Sequence, residues 1–255
     1  MLHRRGAVAA LVVAIGVVAC GPRVIRKEPI PRERQLQALR IMAEGDELLR
    51  QGKDHLAMLK YLEASQLDPY QEIIFNKLAT AYIRLGMDFQ AAEAAERAVR
   101  LNPRYAYGYN TLGIVRLTRR DIKGAAKAFQ KAIEYQNDVA GFYINYGFTL
   151  VQLGKAKEAI AAYRQGFRLN PKILQTASRV KLPLSPEEDF SAEKYLELAR
   201  IFAELGNLEY VLRYLDRAFI AGLTEPERIL RDPAFEKLLK EEEFRRFLIS
   251  RGVSL

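Results

Sequence analysis

Tryptophan is absent from this 255-residue chain, and it holds only two histidines and one cysteine. Those shortages remove whole classes of chemistry. A zinc site needs several nitrogen or sulfur ligands, and the chain has neither a histidine pair at ligand spacing nor a Cys-x-x-Cys. A single cysteine cannot close an internal disulfide. A hydrolytic triad needs an oriented base, and His55 has no G-x-S-x-G motif near it. Glycine is scattered, so no loop gathers backbone amides around a phosphate. The acidic runs Glu187-Glu188 and Glu241-Glu242-Glu243 are consecutive, which on a helix sends their carboxylates in different directions. The expected inventory is therefore no catalytic residue, no metal site and no cofactor, in a chain that is not an enzyme.

Long apolar runs are also missing. The stretch Gly6–Val18 is thirteen residues, short of the roughly 20 that a bilayer-crossing helix needs. It follows the basic start Met1-Leu2-His3-Arg4-Arg5, and this order describes an export signal over residues 1–19. The signal ends in Val17-Val18-Ala19-Cys20-Gly21, which resembles the bacterial lipobox, where cleavage leaves an acylated cysteine at the new N-terminus. That resemblance implies lipidation of Cys20, and several acyl chains on one residue anchor a protein stably. Gly21 beside the lipidated residue, in place of aspartate, implies an outer-membrane lipoprotein facing the periplasm of a bacterial cell envelope. Residues 20–35 carry Pro22, Pro29 and Pro31 among arginines and a lysine, and read as an extended, lipid-anchored tether. Lysine and arginine total 40 against 31 acidic residues. An exported protein does not meet nucleic acid, so the excess reads as a basic face for anionic headgroups, glycans or acidic protein.

What the chain does have is a period. Pro69, Pro103, Asn137 and Pro171 fall at a constant spacing of 34 residues, closing YLEASQLDP, AERAVRLNP, FQKAIEYQN and YRQGFRLNP. A fixed repeat of this length means one supersecondary unit stacked on copies of itself. Four units run from 38–71, 72–105, 106–139 and 140–173, within a repeated region of 36–171. A large residue recurs at position 4 (Ile41, Phe75, Tyr109, Tyr143), a small one at 8 (Gly45, Ala79, Gly113, Gly147), and Tyr61, Phe129 and Tyr163 stand at position 24. Small positions let two helices approach closely, and large ones fill the layer between them. Arg116 breaks the pattern at an apolar position and is expected to turn outward beside Arg119, Arg120 and Lys123. After Pro171 the register slips. Residues 174–191 form an insertion in which Ser185-Pro186-Glu187-Glu188 reads as a helix start, residues 192–222 make a fifth divergent unit, and 223–255 a helical cap.

Period and positions together resemble the tetratricopeptide repeat (TPR). The resemblance implies an all-α solenoid, a right-handed superhelix of helix-turn-helix units, acting as a non-catalytic scaffold for protein or peptide segments of the envelope. It also implies a concave groove lined by the first helix of each unit. Here that groove would carry Asn76 and Thr80, then Tyr107, Asn110, Thr111 and Ile114, then Ile144, Asn145, Phe148 and Val151. Asparagine amides both donate and accept, so they can pair with an extended peptide backbone whatever its sequence. The carboxylate clamp of chaperone-binding members is missing, because the first unit offers Leu39, Met42, Ala43 and Asp46 at the positions concerned. No small-molecule substrate is expected. Lipoproteins with such repeats include type IV pilus pilotins, peptidoglycan-hydrolase adaptors, outer-membrane assembly factors and exopolysaccharide-export components. The pilotins resemble this chain in length and layout, and a peptidoglycan- or polysaccharide-binding role is the alternative outside protein assembly.

Overall fold

The computed structural model describes residues 29–173 and 190–255. The expected export signal, Cys20, most of the expected tether and the Ser185-Pro186 motif lie outside the described residues. Within them the period becomes helix pairs, an A and a B helix per unit. These are α1 (Arg32–Arg50) with α2 (Asp54–Leu67), α3 (Glu72–Arg84) with α4 (Asp88–Leu101), and α5 (Ala106–Thr118) with α6 (Ile122–Tyr135). Next come α7 (Ala140–Gln152) with α8 (Ala156–Leu169) and α9 (Ala192–Glu204) with α10 (Leu208–Ile220). Three 3-10 turns, Pro226–Arg231, Pro233–Phe235 and Leu238–Lys240, lead into α11 (Glu242–Ser250).

The sequence writes both kinds of corner. The A helices of four units end at a glycine with positive φ: Gly52 at 75°, Gly86 at 70°, Gly154 at 73° and Gly206 at 70°. The chain then folds back so that the following amide reaches the last turn, as Lys53 N does to Leu48 O at 2.9 Å and Met87 N to Tyr82 O at 2.9 Å. In the third unit Arg120 holds this place, with φ 61°. The B helices of the first, second and fourth units stop before proline, whose ring would clash with a continuing helix. The preceding Asp68 and Asn102 side chains accept from the amides of Tyr70 (3.0 Å) and Arg104 (3.1 Å), which turns the chain toward the next A helix.

Inside each unit the small-against-large rule is met physically. A Cβ placed on Gly45 would lie 2.7 Å from the Tyr61 ring, and one on Gly113 would lie 2.6 Å from the Phe129 ring. Tyr61, Phe129 and Tyr163 are fully buried. Each B helix packs on the next A helix, while α3 also touches α5 directly and α5 touches α7. The A helices therefore line the tighter, concave side, and the B helices form the outer face.

Two expectations need correction. Helix α1 begins at Arg32, so the last four residues of the expected tether are helical; Arg34 pins this extra turn by donating to the Gln66 carbonyl at 3.3 Å. Arg116 does not join an outer basic group. Its half-buried guanidinium donates to the Gly124 carbonyl at 3.0 Å, bridging α5 to the start of α6.

Beyond the insertion, Phe202 of α9 meets Tyr163 (5.6 Å) and Phe167 (6.1 Å) of α8. One continuous core runs from Ile144 through the fifth unit into the C-terminal turns. Phe235 and Phe244 stack at 5.9 Å there, both fully buried, and Arg200 pairs with Asp232 at 2.5 Å.

Candidate functional site

The concave surface is built by one face of each A helix, so the groove residues arrive at the 34-residue period. It is open over the first three units and closed at the fourth. Tyr107 is 44% exposed, held edge-on to Phe142 at 5.2 Å. Asn110 and Ile114 are half-buried, as is Asn76. Thr80 is half-buried and donates its hydroxyl to the Asn76 carbonyl at 3.0 Å, back along its own helix. The Asn76 side-chain oxygen is buried without a hydrogen-bond partner. Tyr105 stands beside it, and burial, helped by the Glu72 charge, pushes that phenol up to about 12.

The rest of the expected lining turns inward. Thr111 is buried, and Asn145 is only 2% exposed. Asn145 donates its amide to the Asn110 side-chain oxygen at 2.9 Å, an internal cross-link between the third and fourth units. Ile144, Phe148 and Val151 are buried, and Phe190 covers Phe148 at 5.8 Å between ring centres. Lys194 of α9 donates to the Val151 carbonyl at 2.6 Å and pairs with Glu197 at 2.7 Å, sealing this end of the groove. Asn145 and Phe148 are therefore packing residues and not contact residues.

The structure adds a feature that positions alone did not reveal. Lys77, a groove cation of the second unit, pairs with Asp46 of the first at 2.8 Å, and Asp46 also accepts from the Tyr61 hydroxyl at 2.7 Å. The aspartate neutralises the lysine and removes the charge that a terminal carboxylate would need. A cleft of about 390 Å³ lies at the N-terminal end, between Pro29, Gln35, Leu39 and Tyr70. Among the described residues no group of three His, Cys, Asp or Glu is arranged to hold a metal ion. No described helix is long and apolar enough to cross a membrane.

Comparison with known proteins agrees with this architecture. Residues 140–173 match a family model described as tetratricopeptide repeat. The chain is 30% identical over 99 residues to the heat-shock protein cognate co-chaperone sgt12 of Aspergillus fumigatus, covering 39% of this chain and 29% of that one. It is also 30% identical over 105 residues to tetratricopeptide repeat protein 33 of Xenopus laevis, covering 41% of each. It thus spans well under half the length of these curated relatives. Among solved structures, that of Pseudomonas aeruginosa pilF superposes with a TM-score of 0.58 at 18% identity, covering 87% of this chain and 91% of that one. A thermophilic TPR protein of Thermus thermophilus gives 0.53 at 19% identity, covering 79% and 99%. At these identities the likeness to the solved structures is one of fold. A hairpin repeated every 34 residues, a Gly-closed A helix and a small residue under each aromatic are the marks of the matched family in this chain, which is a tetratricopeptide-repeat protein.

Proposed function

We propose that this chain is a non-catalytic adaptor of the bacterial cell envelope, anchored through a lipidated Cys20 and gripping an extended segment of a partner protein in its concave groove. The observation that carries the reading is the open stretch of the first three units, where exposed Tyr107 stands with half-buried Asn76 and Asn110. Asparagine amides that reach an open groove can donate to and accept from the backbone of an extended peptide. Two curated relatives are named as a co-chaperone and as an Hsp70-Hsp90 organizing protein, names that fit a scaffold role for this one. The Asp46–Lys77 pair argues against a terminal-carboxylate ligand and for an internal segment. The lipobox-like Val17–Gly21 supports the anchor.

A photo-crosslinking residue in place of Tyr107, activated in intact cells, should yield a discrete adduct in the membrane fraction. With the identified partner segment, Asn76→Ala plus Tyr107→Ala should weaken binding about tenfold to a hundredfold in calorimetry, one hydrogen bond and one aromatic contact being lost. Unchanged affinity in the folded double variant would place the partner on another face.

A further inference from the structure

The outer face carries a second pattern that the groove does not use. On α4 the exposed residues include Phe89, Gln90, Glu93, Glu96 and Arg100, and stepping by one period gives the equivalent outward positions on α2, α6 and α8. One row so defined is His55, Phe89, Lys123 and Lys157; the next is Leu59, Glu93, Lys127 and Ala161. All eight are exposed.

The two ends of these rows differ in chemistry. Toward the N-terminus the face carries exposed apolar side chains among its polar ones: Leu56 is 50% exposed, Leu59 54% and Phe89 74%. A cleft of about 230 Å³ opens beside them between α2, α3 and α4, with Leu62, Phe75, Leu78 and Tyr82 in its wall. Toward the C-terminus it is cationic. Lys123, Lys127 and Lys157, with Arg119 and Arg120 at the α5–α6 turn, are exposed and have no ion-pair partner among the described residues. Of the carboxylates on the same face, Glu158 is engaged by Lys155 at 2.9 Å and Glu96 by Arg100 at 3.4 Å, while Glu93 and Glu134 have no ion-pair partner among the described residues, which leaves the cations of α6 and α8 in excess. Arg120 adds to the case. It holds a left-handed backbone position that the other units fill with glycine, which sets its guanidinium at the α5–α6 turn beside Arg119.

Exposed leucine and phenylalanine beside uncompensated lysines make an amphipathic surface. Its complement is an anionic lipid bilayer, whose headgroups take the lysines while the apolar side chains enter the headgroup boundary. We propose that the outer, B-helix face of the first four units docks on an anionic membrane, with Leu56, Leu59 and Phe89 inserted and Lys123, Lys127 and Lys157 against the headgroups. The solenoid then lies along the bilayer, and its groove opens away from it. The placement rests on the outer face alone and is independent of what fills the groove.

The absence of tryptophan makes a direct test available, since one introduced indole reports one place. The full chain carrying Phe89→Trp is mixed with phosphatidylcholine vesicles with and without phosphatidylglycerol. The indole emission should shift to the blue only with phosphatidylglycerol. The shift should reverse at high salt, and it should need about a hundredfold more lipid when Lys123, Lys127 and Lys157 are all changed to Glu, near fivefold per cation lost. Tyr107→Trp, in the groove, should keep its emission on the same vesicles. An N-terminal anchor acting alone would bring the chain to the membrane without shifting Trp at position 89, and that result overturns the proposal. So does an equal shift at position 107, a shift indifferent to phosphatidylglycerol, or one that survives the triple reversal in a variant whose circular dichroism is unchanged.

Discussion

Gly45, Gly113 and Gly147 each lie under the aromatic ring of their own B helix, at distances no additional carbon would tolerate without movement. Gly113 is the tightest case. An alanine Cβ there would approach Phe129 to 2.6 Å, and Phe129 is fully buried with nowhere to retreat. Gly113→Ala should therefore lower stability by about 1–3 kcal/mol, the usual cost of overpacking a dense layer, despite alanine's better helix propensity. Urea unfolding followed by circular dichroism would measure it, and an unchanged midpoint would mean that the ring moves freely. The second unit instead has alanine at both positions, Ala79 and Ala95, both fully buried. Such complementarity is legible in a bare sequence, because it recurs at fixed positions and needs only residue size. The fate of a polar side chain is less so. Asn110 and Asn145 look alike as letters, yet one is half-exposed and the other spends its amide on the first, a choice set by what covers the fourth unit.

Helices and their corners follow the same logic one level up. Four A helices end on glycine at positive φ, and the third unit ends on Arg120 at 61°. A non-glycine residue in this region costs roughly 1–2 kcal/mol, while glycine gives back part of that advantage by loosening the unfolded chain. Arg120→Gly should consequently raise stability by about 0.5–1 kcal/mol, since the exposed arginine has no described partner to lose. Differential scanning calorimetry should show a higher melting temperature, and a lower one would reveal a contact of Arg120 that holds the turn. The corners themselves were readable, because Gly at the end of one helix and Asp-Pro or Asn-Pro at the end of the next are local chemistry. Two things were not. Helix α1 starts six residues ahead of the period at Arg32, since helix-forming residues follow Pro31 and the bond from Arg34 to Gln66 rewards the extra turn. The groove closes at the fourth unit because Phe190 and Lys194 come from a part of the chain that the period does not govern.

At the scale of the molecule, a solenoid has no single centre, and each unit is stabilised mainly by its neighbours. The buried apolar residues divide accordingly. One cluster joins α2, α3, α4 and Leu112 of α5, and a larger one runs from Ile144 of α7 to Val253 near the C-terminus. The C-terminal turns and α11 belong to that second cluster. They cover the last helix pair with Ile229, Phe235, Phe244 and Leu248, all fully buried. Phe235→Ala removes a ring stacked at 5.9 Å on Phe244 and leaves a cavity, which costs about 3–5 kcal/mol in a packed core. In a globular domain that loss would be shared by every element. Here it should stay at one end, because little besides nearest-neighbour packing transmits it toward the N-terminus. Hydrogen exchange read by mass spectrometry should show α9, α10 and α11 exchanging faster in Phe235→Ala, α7 and α8 affected less, and α1 to α4 protected as before. A uniform loss of protection would mean that the five units unfold as one cooperative body. A groove over the first three units that keeps its shape while the far end loosens is the physical consequence of building the chain from a repeated hairpin.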